Sequence, residues 1–398
     1  MEKNVAVVGA GILGLATARE LLSRNPDLKV TVLEREQEVG FHQTGHNSGV
    51  IHGGIYYAPG SLKARLCVQG ARDMYEYCDR HGIEAKRSGK LIVATRPEEL
   101  AGLDELERRA TANDVPDMRR LGAEELREIE PHARGIAALH SPATGVVDFK
   151  HVTRALADDV RNAGGEVRLG FEVAKVDSLN GDVRLRAAGG DELAAGRAVF
   201  CAGPWSDRLA LEAGADADPR IVPFRGAYLT LRPERASLVK SLIYPVPDPS
   251  LPFLGVHLSR HVDDEVTIGP TALLAAARDP RRKLSAEDMA ATLAWPGSWK
   301  MVRRWWRTGL TEIKHAISKR TLVRDAQRYV PELQLDDVQP GHFGIRAQAL
   351  GRDGKLIDDF VFSQTGRVLH VRNAPSPGAT ASLAIARMIA DRLEEQAA

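Results

Sequence analysis

Gly9, Gly11 and Gly14 stand in the spacing G-x-G-x-x-G, and Glu34 follows the last of them by 20 residues. These residue types suit a dinucleotide. The first glycine allows a tight turn, the second lets backbone approach a pyrophosphate, and the third lets helix and sheet pack closely. The carboxylate can accept both ribose hydroxyls. Residues 41–67, "FHQTGHNSGVIHGGIYYAPGSLKARLC", then place three histidines, five glycines and two adjacent tyrosines in 27 residues, with no helical or strand period. Permissive backbone beside polar rings makes a seat for a large cofactor. A third group lies at 295–324, where Lys300, Arg303, Arg304, Arg307, Lys314, Lys319, Arg320 and Arg324 face the single acid Glu312, among Trp295, Trp299, Trp305 and Trp306. A basic helical stretch with tryptophans is how a protein lies on an anionic bilayer.

The elements around the glycines make the motif more than a lone pattern. Val5–Val8 is a short apolar run of the kind found in a parallel strand buried on both faces. Ile12–Leu22 reads as a helix whose first amides face the phosphates, and Asn25-Pro26 ends it. Lys29–Leu33 reads as the second strand, with Glu34 and Arg35 at its end. No second helix follows, only the Gly/His/Asn/Ser loop. That order favours FAD over NAD, because a flavin is far longer than its adenosine half and its chain and ring need further amides and small residues.

Further along, Leu62–Arg80 suits a helix, Lys90–Thr95 a strand and 97–113 a polar helix. Strand-like alternation runs from "IVPFRGAYLTL" to "DEVTIGP", and 281–330 turns helical. The expected fold class is α+β: a Rossmann-like FAD-binding domain (1–85, 146–215, 331–398) with an antiparallel-sheet substrate domain inserted in it (86–145, 216–330), the latter carrying the basic helical segment near 281–324.

The totals exclude several classes. With 54 Lys and Arg against 53 Asp and Glu, the charge is nearly balanced, and no nucleic-acid partner is expected. Cys67, Cys78 and Cys201 are widely spaced and odd in number, which argues against a disulfide framework and a zinc knuckle, so no metal is expected. The sequence enters the glycine motif at once, which predicts no signal peptide. No apolar run approaches the roughly 20 residues of a membrane span. The expected location is cytoplasmic, with peripheral attachment through 295–324 to the inner face of the cell membrane.

Several stretches together resemble the L-2-hydroxyglutarate dehydrogenase/oxidase family, within the FAD-dependent glycine/D-amino-acid oxidase superfamily. They are "HQTGHNSGVIHGGIYYAPGSLKARLC", "GKLIVAT", "PFRGAYLTL", "IYPVPDPSLPFLGVHLSR", "VTIGP", "GIRAQAL", "DGKLIDDF" and "NAPSPGATAS", and they run from residue 42 to residue 382. The resemblance implies oxidation of L-2-hydroxyglutarate to 2-oxoglutarate, with hydride passing from C2 to flavin N5 and electrons going on to a quinone or oxygen. It implies cofactor contacts at Thr44, Gly45, Asn47, Ser48, Gly49, Ala202 and Gly203. Val173 would meet adenine and Arg35 would lie along it. Pro377, Gly378, Ala379 and Thr380 would present the start of the closing helix to the flavin, where a helix N-terminus favours negative charge.

For the proton, His257 in "FLGVHLSR" is the leading base candidate and His52 the second, since imidazole suits proton transfer near neutral pH. For a small dicarboxylate, Arg225 and Arg346 are the expected clamps, because the planar guanidinium matches a carboxylate. Tyr228, Tyr57 and Lys355 complete the substrate set, with Lys63 or Arg65 as weaker cations. The rivals are a superfamily relative acting on glycerol 3-phosphate, an amine or an amino acid, and a flavin-binding regulator without turnover.

Overall fold

The computed structural model describes residues 4–395 apart from 180, 250 and 252. The strand Asn4–Val8 lies inside a six-stranded sheet in the order Val361–Thr365, Val368–Asn373, Arg197–Phe200, Asn4–Val8, Lys29–Leu33, Glu166–Arg168. All neighbours run parallel except the first pair, an antiparallel hairpin. Alternation sorts its side chains. Val5, Val7, Val30 and Val32 pack under four helices, Ile12–Arg24, Leu62–His81, Phe149–Asn162 and Ser382–Glu395. Ala6, Val8, Leu33 and Phe200 pack against the three-stranded sheet formed by Val173–Leu179, Asp182–Ala187 and Glu192–Ala195. Both faces are covered, which is why these strands read as unbroken apolar runs.

A second sheet has nine strands. Its main path runs Leu273–Leu274, Arg220–Leu231, Val266–Gly269, His257–Arg260, Leu242–Pro245, Lys90–Ala94, Ala137–Ser141, Arg119–Gly122, and Val338–Leu350 pairs along Arg220–Leu231. It is antiparallel except where Leu242–Pro245 runs parallel to Lys90–Ala94. On one face Leu91, Val93, Leu229, Ile243, Leu258 and Ile268 bury against Leu322, Val323 and Ala326 of the helix Lys319–Ala326. Alternation therefore turns Ile92, Tyr228, Tyr244 and His257 to the opposite face, where the glycine-rich loop lies.

The basic segment forms the helices Ala286–Ala294, Pro296–Ile317 and Lys319–Ala326, as the sequence suggests. The middle one bends at Trp305, whose φ of −118° and ψ of 25° leave the helical region. Not all four tryptophans face outward. Trp295 is buried, its indole N–H donating to the Leu350 carbonyl at 3.0 Å, and Trp305 packs against the cluster around Val222 and Met301. Trp299 and Trp306 are 59% and 52% exposed and share one side of the helix with Val302, Leu310, Ile313 and Ile317. Their spacing of three and four residues makes a continuous apolar stripe.

Candidate active site

A cavity of about 900 Å³ runs between the two sheets, from Gly9, Glu34 and Val173 at one end to His52, Tyr244, His257 and Arg346 at the other. The glycines make its floor. Gly9 has φ +105°, and a Cβ there would stand 2.4 Å from the Cys201 carbonyl oxygen. A Cβ on Gly14 would come within 1.9 Å of the Gly9 carbonyl oxygen, so helix and turn touch backbone to backbone. Gly14→Ala is therefore expected to destabilise the protein by about 2 kcal/mol through overpacking and to lower its FAD content. Thermal unfolding with flavin absorbance checks both.

Side chains of the loop mostly hold the loop itself. Thr44 Oγ1 accepts from the Ile12 amide at 3.1 Å, satisfying a helix start that Gly11 cannot cap. Asn47 Nδ2 donates to the Thr44 carbonyl at 2.7 Å, and its Oδ1 accepts from the Gly49 amide at 2.8 Å. Thr380 Oγ1 donates to the Val50 carbonyl at 3.2 Å and accepts from the His52 amide at 3.1 Å, tying the loop to the start of the last helix. Glu34 spends its carboxylate similarly, accepting from the Ala10 and Glu36 amides at 2.7 and 3.0 Å. Burial pushes its carboxyl up and these amides pull it back. At the same end, the Arg35 guanidinium lies 4.1 Å over the Trp205 ring and 3.0 Å from Glu172. Arg281 reaches across to both Glu36 oxygens at 2.9 Å.

Of the cofactor residues expected from the sequence, Gly9, Gly11, Glu34, Arg35, Thr44, Asn47, Ser48, Val173, Ala202, Gly203, Pro377, Gly378, Ala379 and Thr380 line the cavity. Gly14, Gly45 and Gly49 lie behind it. Gly14 is the helix contact already described. A Cβ on Gly45 would meet Lys150, and one on Gly49 the Val147 carbonyl. A cavity of this volume, floored by glycines and reaching from Glu34 to the small residues Gly378, Ala379 and Thr380, fits FAD.

At the far end, Tyr57, Tyr228, His52, His257 and Arg346 come together as the sequence suggests. Arg225 and Lys355 do not. Arg225 points to the other side of its strand, exposed, with its guanidinium 3.9 Å over the Phe343 ring. Lys355 follows the turn at Gly351–Gly354 and is 72% exposed, 3.6 Å from Asp353. Lys63 does line the cavity; it is 5% exposed and its Nζ lies 2.6 Å from Asp358. Tyr56 also lines the cavity, with a buried hydroxyl that has no partner among the described residues.

The two histidines differ in what holds them. His257 Nδ1 lies 2.9 Å from the Gly255 carbonyl. A carbonyl only accepts, so Nδ1 carries the hydrogen and Nε2 keeps a free lone pair. Its ring stacks on Tyr244 at 4.0 Å. Burial pulls its imidazolium down to about 3, against the Gly255 hydrogen bond and with help from Lys90 and Arg346. His52 Nε2 lies 3.3 Å from Ser376 Oγ, and burial likewise holds it neutral, well below the usual imidazole range. Burial pushes the Tyr228 hydroxyl up and the nearby Arg346 guanidinium pulls it back, and no carboxylate pairs with Arg346 among the described residues.

This arrangement is that of a flavoprotein oxidoreductase, and the chain belongs to the FAD-dependent oxidoreductases, whose family model matches residues 4–392. Within them it stands with the L-2-hydroxyglutarate dehydrogenases. It is 48% identical to the mitochondrial L-2-hydroxyglutarate dehydrogenase of Nematostella vectensis, over 99% of this chain and 91% of that protein. It is 44% identical to the human mitochondrial one, over 99% and 89%, and 42% identical to that of Escherichia coli K12, over 98% and 93%. Its fold matches FAD-bound L-alpha-glycerophosphate oxidase from Mycoplasma pneumoniae, with a TM-score of 0.80 at 23% identity, over 98% of this chain and 94% of that one.

Proposed function

We propose that this protein oxidises L-2-hydroxyglutarate to 2-oxoglutarate, with His257 as the base. FAD, when bound, supplies the acceptor for the hydride leaving C2. The free Nε2 of His257, beside the cavity and held neutral, takes the hydroxyl proton. Arg346 holds one substrate carboxylate with its planar fork, beside Tyr228 in the same cavity wall. Lys63, rather than Arg225, takes the second carboxylate; it is a buried cation lining the cavity, and its partner Asp358 is exposed. His52 closes the loop side near Ser376. The observation that carries the reading is the convergence, at one end of a cavity that fits FAD, of neutral His257 and an Arg346 with no carboxylate partner among the described residues. Anaerobic bleaching of the flavin by L-2-hydroxyglutarate tests it, and a flavin left oxidised overturns it. The two sheets support two discontinuous units, with FAD bound by the first and substrate by the second.

The electrons pass to a quinone or to oxygen, and the exposed stripe on Pro296–Ile317 supports a peripheral position beside a quinone pool. No helix among the described residues is long and apolar enough to cross a membrane. Trp299, Trp306, Leu310 and Ile317 are exposed on a helix also carrying Lys300, Arg303, Arg304, Arg307 and Lys314. That pairing suits an anionic lipid surface, with the protein on the inner face of the cell membrane. Co-sedimentation with vesicles containing anionic lipid should carry the wild type down at low salt, and the double variant W299S/W306S should stay in solution. A wild type that stays in solution as well contradicts the membrane assignment.

A further inference from the structure

Lys90 has no role in the reaction as described, yet it lies against the site. It opens the strand Lys90–Ala94 and is 1% exposed. Its Nζ stands 4.0 Å from the centre of the Tyr244 ring and 5.3 Å from that of Tyr56. Tyr244 in turn stacks on His257, and both tyrosines line the cavity. The titratable groups around Lys90 are His52 and Tyr56 from the loop, Lys63 and Cys67 from the helix Leu62–His81, and Tyr244 and His257 from the sheet, with Arg346 beyond them. None is a carboxylate, and Lys90 has no ion pair among the described residues. A buried ammonium resting on two aromatic faces is only partly compensated.

We propose that Lys90 is a positioning residue for the anionic substrate: its ammonium, set behind the Tyr56 and Tyr244 rings, is the positive charge that a dicarboxylate in the cavity completes, so that substrate and a proton bind together. The inference rests on the dicarboxylate reading of the site. Burial pulls the Lys90 ammonium down to about 7, and negative charge arriving in the cavity favours the protonated form again. The neighbours do not compete for that proton. His52 and His257 are held far below neutrality, and Tyr56, Tyr244 and Cys67 are pushed upward. Lys90 is charged well below about 7 and loses its proton as pH rises through that value, so dicarboxylate affinity falls over the same rise.

Calorimetric titration of the oxidised holoenzyme with 2-oxoglutarate at pH 8, in two buffers of different ionisation enthalpy, reads the coupled proton directly. The wild type should take up roughly one proton on binding. K90R, which keeps the charge at all pH, should bind within about threefold of the wild type and take up none. K90M should bind about tenfold more weakly and also take up none. Proton uptake that persists in K90R, or K90M binding as tightly as the wild type, overturns the role of Lys90. If K90M fails to retain FAD, K90R alone decides. Bleaching of the wild type by L-2-hydroxyglutarate is read separately: an unbleached wild type removes the substrate assignment and this inference with it, whereas a bleached wild type with unchanged uptake in K90R removes this inference alone.

Discussion

His257→Gln should retain FAD and reduce it with L-2-hydroxyglutarate roughly 10²–10⁴ times more slowly than the wild type, the usual contribution of a positioned general base. Glutamine can keep a hydrogen bond to the Gly255 carbonyl but has no basic lone pair at the position of Nε2. The imidazolium of His257 is pulled down to about 3, so its base form is present above that pH and is lost only as pH falls through it. The wild-type rate at saturating substrate should therefore stay level between pH 7 and pH 5, where an ordinary imidazole would protonate. Stopped-flow reduction across that range checks this. A rate that falls along an ordinary imidazole titration would point to a different, more exposed base. His52→Gln is the companion variant. Its Nε2 already faces Ser376, and a smaller loss there than at His257 is expected.

Arg346→Met should weaken substrate binding roughly 10²-fold, or ~3 kcal/mol, the scale of a lost charge-assisted pair. The rate at saturation should fall less. Arg346→Lys should recover only part of the affinity, since an ammonium keeps the charge but not the fork. Arg225 provides the internal control. It is one strand over, exposed and stacked on Phe343, so Arg225→Ala should leave the dissociation constant within about twofold, as surface changes usually do. Substrate titrations of the reduction rate on the four proteins separate binding from chemistry. Equal effects at 225 and 346 would contradict the placement of the carboxylate.

The contrast between those two arginines shows where the sequence stops being readable. The nucleotide turn is local: glycines, apolar strand and helix lie within some 30 residues, and the structure reproduces them with Asn4–Val8, Ile12–Arg24 and Lys29–Leu33. Which arginine faces the cavity depends on register between Arg220–Leu231 and Val338–Leu350, a pairing of segments more than a hundred residues apart, with an irregularity between Ala227 and Leu229. Alternation within one strand gives two faces but does not say which is the inner one. Lys90 was hidden for another reason. All five residues of Lys90–Ala94 are buried, because the sheet is covered on both sides, so the usual period of polar and apolar positions is erased and a lysine there reads as a strand edge. Trp205, which meets Arg35 and His42, carries no sequence signal beyond its place after Gly203-Pro204. The tryptophans of 295–324 were legible as a group. Their division into buried Trp295 and exposed Trp299 and Trp306 follows from the packing of Leu350 and Met301, which are distant in the chain or hidden in the helical period.

The central claim is that this cavity holds FAD and presents it to L-2-hydroxyglutarate. It is tested most directly by the anaerobic absorbance spectrum of the purified protein before and after adding L-2-hydroxyglutarate, with the D-enantiomer as control. A flavin band that bleaches with the L form and not with the D form is the expected result. A flavin band unchanged by either enantiomer, or a colourless protein that takes up no FAD, would contradict it.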